Sequence, residues 1–142
     1  MLLGEYEHTI DEKGRVAIPS RLREAFRDGI VLSRGFDYCI LAYPLAEWRS
    51  VAAAISALPA TQARNRRLSR SAFSSAYEVE LDRQGRILLP TPLREYAGIS
   101  NGIVIAGLNT HLELWSADRW AQERQAMESE MWHLAEAIEV QR

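Results

Sequence analysis

The chain has 142 residues, 47% hydrophobic and 25% charged, with a formal net charge of −2. That length suits one domain or two small ones packed together, because either half alone would bury little apolar surface. A single cysteine excludes a disulfide framework and a paired-thiolate metal site, and the mild acidity argues weakly against a nucleic-acid binder, since such domains often carry a basic excess.

The first residues, MLLGEYEHTIDEKG, meet charge within five positions and lack a long apolar core. Neither a signal peptide nor a membrane span is expected, and a cytoplasmic, reducing setting follows. Tyr6, His8 and Ile10 then alternate with Glu7, Thr9 and Asp11, the period of a strand with one buried face. A glycine-containing turn and the segment VAIP complete an expected hairpin. Pro19 cannot donate to a ladder and ends the second strand, after which Ser20 suits the N-cap of a short helix through LREAF, closed at Gly29.

The run IVLSRGFDYCILAY reads as two apolar strands around a turn, with Cys39 as a small buried hydrophobe. Pro44 opens a helix over PLAEWRSVAAAISAL, Pro59 breaks it, and TQARNRRLSRSAF predicts another. Between Trp48 and Tyr77 lie Arg49, Arg64, Arg66, Arg67 and Arg70 and no acidic residue. This basic stretch fits the solvated face of a linker helix, a DNA contact, or a contact with an acidic tail across subunits.

The second half repeats the first. YEHTIDEKGRVAIPSRLRE at residues 6–24 returns as YEVELDRQGRILLPTPLRE at residues 77–95, with nine of 19 positions identical. Tyr77, Val79 and Leu81 alternate as Tyr6, His8 and Ile10 do. Pro90, Thr91 and Pro92 predict a strand end and a capped helix through LREYA to Gly98, and IVIAGLNTHLELW predicts two more strands. Each half therefore reads β, β, short α, β, β. Ser116 caps a final helix in which Trp120 matches Trp48, and Trp120, Met127, Met131, Leu134 and Ile138 fall on one stripe. That stripe is either intramolecular core or a docking face for a neighbouring subunit. From Asp118 onward six acids stand against three arginines.

The loops DEKG (residues 11–14) and DRQG (residues 82–85) match a hairpin loop built on a type I turn, Asp first and a left-handed Gly last. Turn chemistry explains Asp11, Asp82 and the glycines. It leaves Arg15 and Arg86, which follow the glycines, with two readings. They pair with the aspartates across the turn, worth about 0.2 to 1 kcal/mol if exposed. Alternatively their donor forks meet phosphate oxygens or the O6/N7 edge of guanine. In that second reading the aspartates fix the arginine rotamers or accept from cytosine N4, and Lys13 and Arg83 add phosphate contacts near the tips. No catalytic constellation accompanies them: His8, His111 and His133 lie far apart in sequence, and no P-loop, GxGxxG or HExxH occurs. Enzymatic activity, a cofactor, a metal and a small-molecule ligand are not expected.

The doubled DxxGR segments, together with VLSRGFDYCILAYPLAEW and LELW, resemble the MraZ family of bacterial transcriptional regulators, which carry two SpoVT-AbrB-type domains in one chain. The resemblance covers nearly the whole sequence. It implies an α+β, β-rich fold, in which two tandem AbrB-type ββαββ swapped-hairpin units form a double-split β-barrel pseudo-dimer with flanking helices. Domain 1 would span residues 5–47, a helical linker 48–75, domain 2 76–119 and a C-terminal helix 120–142. It further implies a ring-shaped homo-oligomer whose loops line one face for double-stranded promoter DNA. The expected function is sequence-specific regulation of the protein's own division and cell-wall operon through G-rich direct repeats, in the cytoplasm at the nucleoid.

Carried over by position, Arg15 and Arg86 are the first DNA-contacting candidates, then Lys13, with Asp11 and Asp82 as loop organisers; Arg83 joins from the second tip. Many identical loops on a ring add weak contacts through effective concentration, so overall basicity is unnecessary. Asn109 and Ser75 stand where similar sequences usually carry Gly, and Arg83-Gln84 replaces Glu12-Lys13, so unequal loops are expected. The rival is an AbrB-type antitoxin-like protein that binds a toxin through its acidic C-terminal helix. Two units and a helical tail, in place of one unit and a disordered tail, weigh against it.

Overall fold

The computed structural model describes residues 1–140. In chain order it forms β1 (Leu2–Thr9), β2 (Arg15–Ala17), a 3₁₀ helix (Ser20–Phe26), β3 (Ile30–Arg34), a 3₁₀ turn (Phe36–Tyr38) and β4 (Ile40–Pro44). Helices α1 (Leu45–Ser56) and α2 (Ala63–Ser74) follow. The second half supplies β5 (Tyr77–Val79), β6 (Arg86–Leu88), α3 (Thr91–Ala97), β7 (Gly102–Asn109), β8 (Leu112–Ser116), α4 (Ala117–Ser129) and α5 (Met131–Val140). The fold is thus α+β and rich in strands.

Six strands form one antiparallel sheet in the order β1-β7-β8-β4-β3-β5, and β2 and β6 form a separate pair. The large sheet is open, with β1 and β5 at its edges, and no closed barrel forms among the described residues.

The expected first hairpin is corrected here. It holds for a single rung, where the Asp11 N–H donates to the Arg15 carbonyl at 2.9 Å, and then splits. Ile10 N–H donates to Asn101 O, and β1 runs along β7 from Leu2 opposite Asn109 to Thr9 opposite Gly102. β2 instead pairs with β6 of the other half, Val16 opposite Ile87, while β5 joins β3 with Val79 opposite Ile30. A period of two dictates which face is buried but not which strand lies alongside. The partner is decided by filling one core from both halves: Ile18, Phe26, Leu32, Ile40, Ile87, Leu89, Leu93 and Ile105 are all fully buried.

Local signals were shifted by a residue at two helices. Pro19 and Pro90, not Ser20 and Thr91, occupy the N-cap positions, and no side chain caps either helix. Thr91 Oγ1 instead accepts from Arg94 Nη2 at 2.9 Å. Ser116 does cap α4, accepting from Arg119 N–H at 3.1 Å. Gly98 closes α3 in the left-handed region at φ 66, and Asn109 tolerates the same region at φ 73.

The single C-terminal helix read from the sequence is two helices, interrupted at Glu130 with φ −104 and ψ 6. Trp120 packs edge-on against Trp115 at 5.7 Å, as Trp48 packs on Tyr43 at 5.7 Å in the first half. Beyond Trp120 the apolar stripe is not core: Met127, Met131, Leu134 and Ile138 are all exposed. Among the described residues no helix is long and apolar enough to cross a membrane.

Candidate functional site

Each DxxGR loop is built by its own aspartate. The Gly14 N–H donates to Asp11 O at 3.0 Å, and Asp11 Oδ1 accepts from the Lys13 and Arg15 N–H groups, both at 2.9 Å. The second loop repeats this with Gly85 N–H on Asp82 O at 3.0 Å, and Gln84 and Arg86 N–H on Asp82 Oδ1 at 2.9 Å. Gly14 and Gly85 have φ of 83 and 75, which a side chain would strain. This is the type I turn plus left-handed residue that the sequence predicted.

The second carboxylate oxygen holds the arginine. Arg15 Nε donates to Asp11 Oδ2 at 2.8 Å and Arg86 Nε to Asp82 Oδ2 at 2.9 Å. Pairing through Nε fixes the guanidinium plane while leaving the terminal nitrogens available, and no Nη of Arg15 hydrogen-bonds within the described residues. Both carboxyls titrate below the ordinary aspartate value. The largest cause is the N–H of Arg15 or Arg86; the guanidinium and the N–H of Lys13 or Gln84 add to it, and partial desolvation opposes. The loops therefore stay ionised throughout the neutral range.

The exchanged strands bring the two loops side by side. Leu89 N–H donates to Gly14 O and Ile18 N–H to Gly85 O, both at 2.9 Å, so each loop glycine is bonded by the opposite repeat. Arg86 Nη1 comes within 3.9 Å of Asp11 Oδ2, placing Asp11 between two guanidinium groups. Lys13 and Arg83 are exposed at the two tips. All six residues singled out from the sequence thus lie on this paired loop.

Two further arginines belong to it and escaped the sequence reading. Arg23 Nε donates to Ile18 O at 2.7 Å and Arg94 Nε to Leu89 O at 3.1 Å, anchoring each guanidinium on its own repeat. Their far ends lie under the opposite loops. A Cβ on Gly14 would stand 3.1 Å from Arg94 Cζ, and one on Gly85 would overlap the Arg23 guanidinium. The signal was present, since both arginines are among the nine identical repeat positions; the sequence could not say that they cross over. Counting them, six cations here face the carboxylates of Asp11, Glu12 and Asp82, so this place is basic although the chain is not.

Other chemistry-bearing residues are elsewhere. His8 lies half-buried on β1, His111 stacks on Tyr43 at 5.0 Å with burial lowering its pKa, and His133 sits on α5 beside Glu136. Burial drives the Cys39 thiol up to about 12, so it stays protonated and donates to Phe36 O at 3.2 Å. No cluster of three or more metal-ligating side chains occurs among the described residues.

Comparison with known proteins gives this repeat a family. A family model described as "MraZ protein, putative antitoxin-like" matches twice, over residues 1–71 and 72–140. The chain is 50% identical over 129 residues to a protein named Transcriptional regulator MraZ from Roseiflexus castenholzii, covering 91% of this chain and 90% of that one. It is 49% identical over 138 residues to one of the same name from Herpetosiphon aurantiacus, covering 97% and 96%. A third of that name, from Dehalococcoides mccartyi, is 39% identical over 140 residues, covering 98% and 99%.

Proposed function

The chain belongs to the MraZ family, and from that premise we propose that it is a sequence-specific DNA-binding transcriptional regulator whose paired DxxGR loops enter the major groove. The observation that carries this reading is the double fixation of Arg15 and Arg86. A surface Asp–Arg pair still open to solvent, as these half-buried ones are, contributes only about 1 kcal/mol or less, too little to need an identical arginine twice. Holding the guanidinium by Nε, however, removes in advance part of the roughly 2 kcal/mol of rotamer entropy that an arginine loses on binding. The terminal nitrogens then remain for guanine O6/N7 or for phosphate.

On this reading Arg15 and Arg86 contact bases, and Lys13 and Arg83 contact phosphates. Asp11 and Asp82 orient the arginines. We read residues 5–47 and 76–119 as two AbrB-type units exchanging strands in a double-split barrel, linked by residues 48–75 and followed by 120–142. Several chains closing into a ring would present the loops to G-rich direct repeats in the promoter of the protein's own division and cell-wall operon, at the nucleoid in the cytoplasm. A second reading, an antitoxin-like partner of a toxin, draws on the antitoxin-like description of the matching family model and on the acidic helix α5 with its exposed apolar face.

The deciding measurement is a gel shift of the chain's upstream DNA with wild type, Arg15→Ala and Arg86→Ala. Loss of specific binding by Arg15→Ala, with unchanged mass by light scattering, is expected. Wild-type affinity in that variant would overturn the loop assignment, and a salt-independent affinity would overturn DNA as the ligand.

A further inference from the structure

Each loop is tied to its own hairpin by a single rung, Asp11 N–H on Arg15 O in the first repeat and Asp82 N–H on Arg86 O in the second, both 2.9 Å. Past that rung each strand belongs to the other repeat. β2 lies on β6 with Arg15 opposite Leu88 and Ala17 opposite Arg86, so the pair is symmetric about Val16 and Ile87. The spacing of Arg15 and Arg86 is therefore set by what one repeat does to the other.

The same two contacts recur at each junction, crossed. Leu89 N–H donates to Gly14 O, and the carbonyl of that same Leu89 accepts from Arg94 Nε at 3.1 Å. Arg94 then lays its guanidinium against Gly14: a Cβ there would meet its Cζ, Nη2 and Nε at 3.1, 3.2 and 3.4 Å, near-equal distances that put the plane face-on to the glycine. At the other junction Ile18 N–H donates to Gly85 O, Ile18 O accepts from Arg23 Nε at 2.7 Å, and Cζ, Nε and Nη1 of Arg23 cover Gly85. Both arginines are half-buried, and neither pairs with a carboxylate among the described residues. Their Nε groups go to main-chain carbonyls and their faces to glycines of the opposite loop, a seat that only a residue without Cβ provides.

We propose that Arg23 and Arg94 are crossed positioning residues of the DNA site: Arg94, from the second repeat, sets the first loop with Arg15, and Arg23, from the first repeat, sets the second loop with Arg86. This rests on the loop reading above and deepens it, because it makes the two loops one rigid unit. A forked contact needs its guanidinium held within about 0.5 Å of the productive place, so loss of one clamp blunts one loop and spares the other.

A double-mutant cycle on the upstream DNA tests the crossing. Arg94→Ala should weaken specific binding about tenfold, a coupling of ordinary size. Added to Arg86→Lys it should cost the same factor again, and added to Arg15→Lys about twofold at most, because that loop's fork is already gone. Arg23→Ala should show the reverse, additive with Arg15→Lys and not with Arg86→Lys. Arg23→Lys and Arg94→Lys keep the charge without the plane and should bind no better than the alanine variants, with the salt slope of the wild type. Additivity with both loops, rescue by lysine, or a salt slope lower by about one would each overturn the proposal, the last two marking direct phosphate contacts. Amide hydrogen exchange reads the same crossing without DNA. Arg94→Ala should speed exchange at Leu89 and across residues 12–15 while Ile18 and residues 83–86 keep the wild-type rate, and Arg23→Ala should do the converse; unchanged exchange, or equal loosening of both loops, would overturn the clamp. Should an alanine variant lose the wild-type circular dichroism, Arg23→Met or Arg94→Met, which keeps the side-chain stem, takes its place. A wild type that binds no upstream DNA sinks the loop reading instead, and the exchange result still judges the crossed clamp.

Discussion

The loops at residues 11–14 and 82–85 make the same backbone hydrogen bonds to the same lengths, 2.9 and 3.0 Å, yet differ at both positions between the aspartate and the glycine. Aspartate, glycine and arginine recur because they carry the turn and the pair. Glu12-Lys13 in one loop and Arg83-Gln84 in the other are all exposed, and the turn uses only their main chain, so their side chains are free to differ. The environments differ too. Asp11 faces Arg15 and, at 3.9 Å, Arg86; among the described residues Asp82 has no such second ion pair, only Arg86. Asymmetry also runs below the loops. Phe26 fills the core where its counterpart is Ala97, and Tyr96, where the first half has Ala25, reaches out to the Gly35 carbonyl at 2.5 Å. A duplicated sequence has thus kept its turn chemistry and divided its packing and charge.

The largest effect that would sharpen this comparison is Phe26→Ala. It should cost about 3 to 5 kcal/mol in urea unfolding, because no equivalent ring exists in the second half to fill the void. Next, Gly85→Ala should cost about 2 to 3 kcal/mol and Gly14→Ala about 1 to 2, since Arg23 obstructs the first while Arg94 can yield by a few tenths of an ångström. Equal losses would erase the difference between the loops. Third, Arg15→Lys and Arg86→Lys should each weaken promoter binding by about 1 to 3 kcal/mol, as loss of a fork contact does, and an affinity unchanged by both would count against base contacts. Lys13→Gln and Arg83→Gln should act more evenly across sequences, each lowering the salt slope by about one.

The smallest effect is in pH. The folded pKa of Asp11 and Asp82 lies below 3.8, so their contribution is complete above that value and is lost only as pH falls through the lower folded one. His111, whose folded pKa lies below 6.5, adds stability that is complete above 6.5 and declines as pH falls beneath it. Urea midpoints between pH 8 and 4 should therefore dip mildly below pH 6.5, a dip that His111→Gln removes, with no carboxylate step before about pH 4.

Much of this was readable in the chain. Strand faces, the glycine-closed turns, the Pro44 helix start and the matched Trp48 and Trp120 follow from local rules, since each depends on φ, on a missing N–H or on a period that a few residues express. The paired loop residues were likewise legible, because Asp11 and Arg15 bond within five positions. What local rules do not contain is the partner. Val16 carries a buried face but nothing that names Ile87 as its neighbour, and Arg94 carries five donors but nothing that sends it beneath Gly14. Likewise, Met131, Leu134 and Ile138 have the spacing of a core stripe, and only the packed chain reveals that α5 has nothing of its own to cover. The sequence determined the turns, the faces and the repeated charge, because these are short-range properties of the backbone and of neighbouring side chains. Tertiary structure decided the strand exchange that sets two weak loops into one basic site, because only the filling of a common core ranks one strand partner above another.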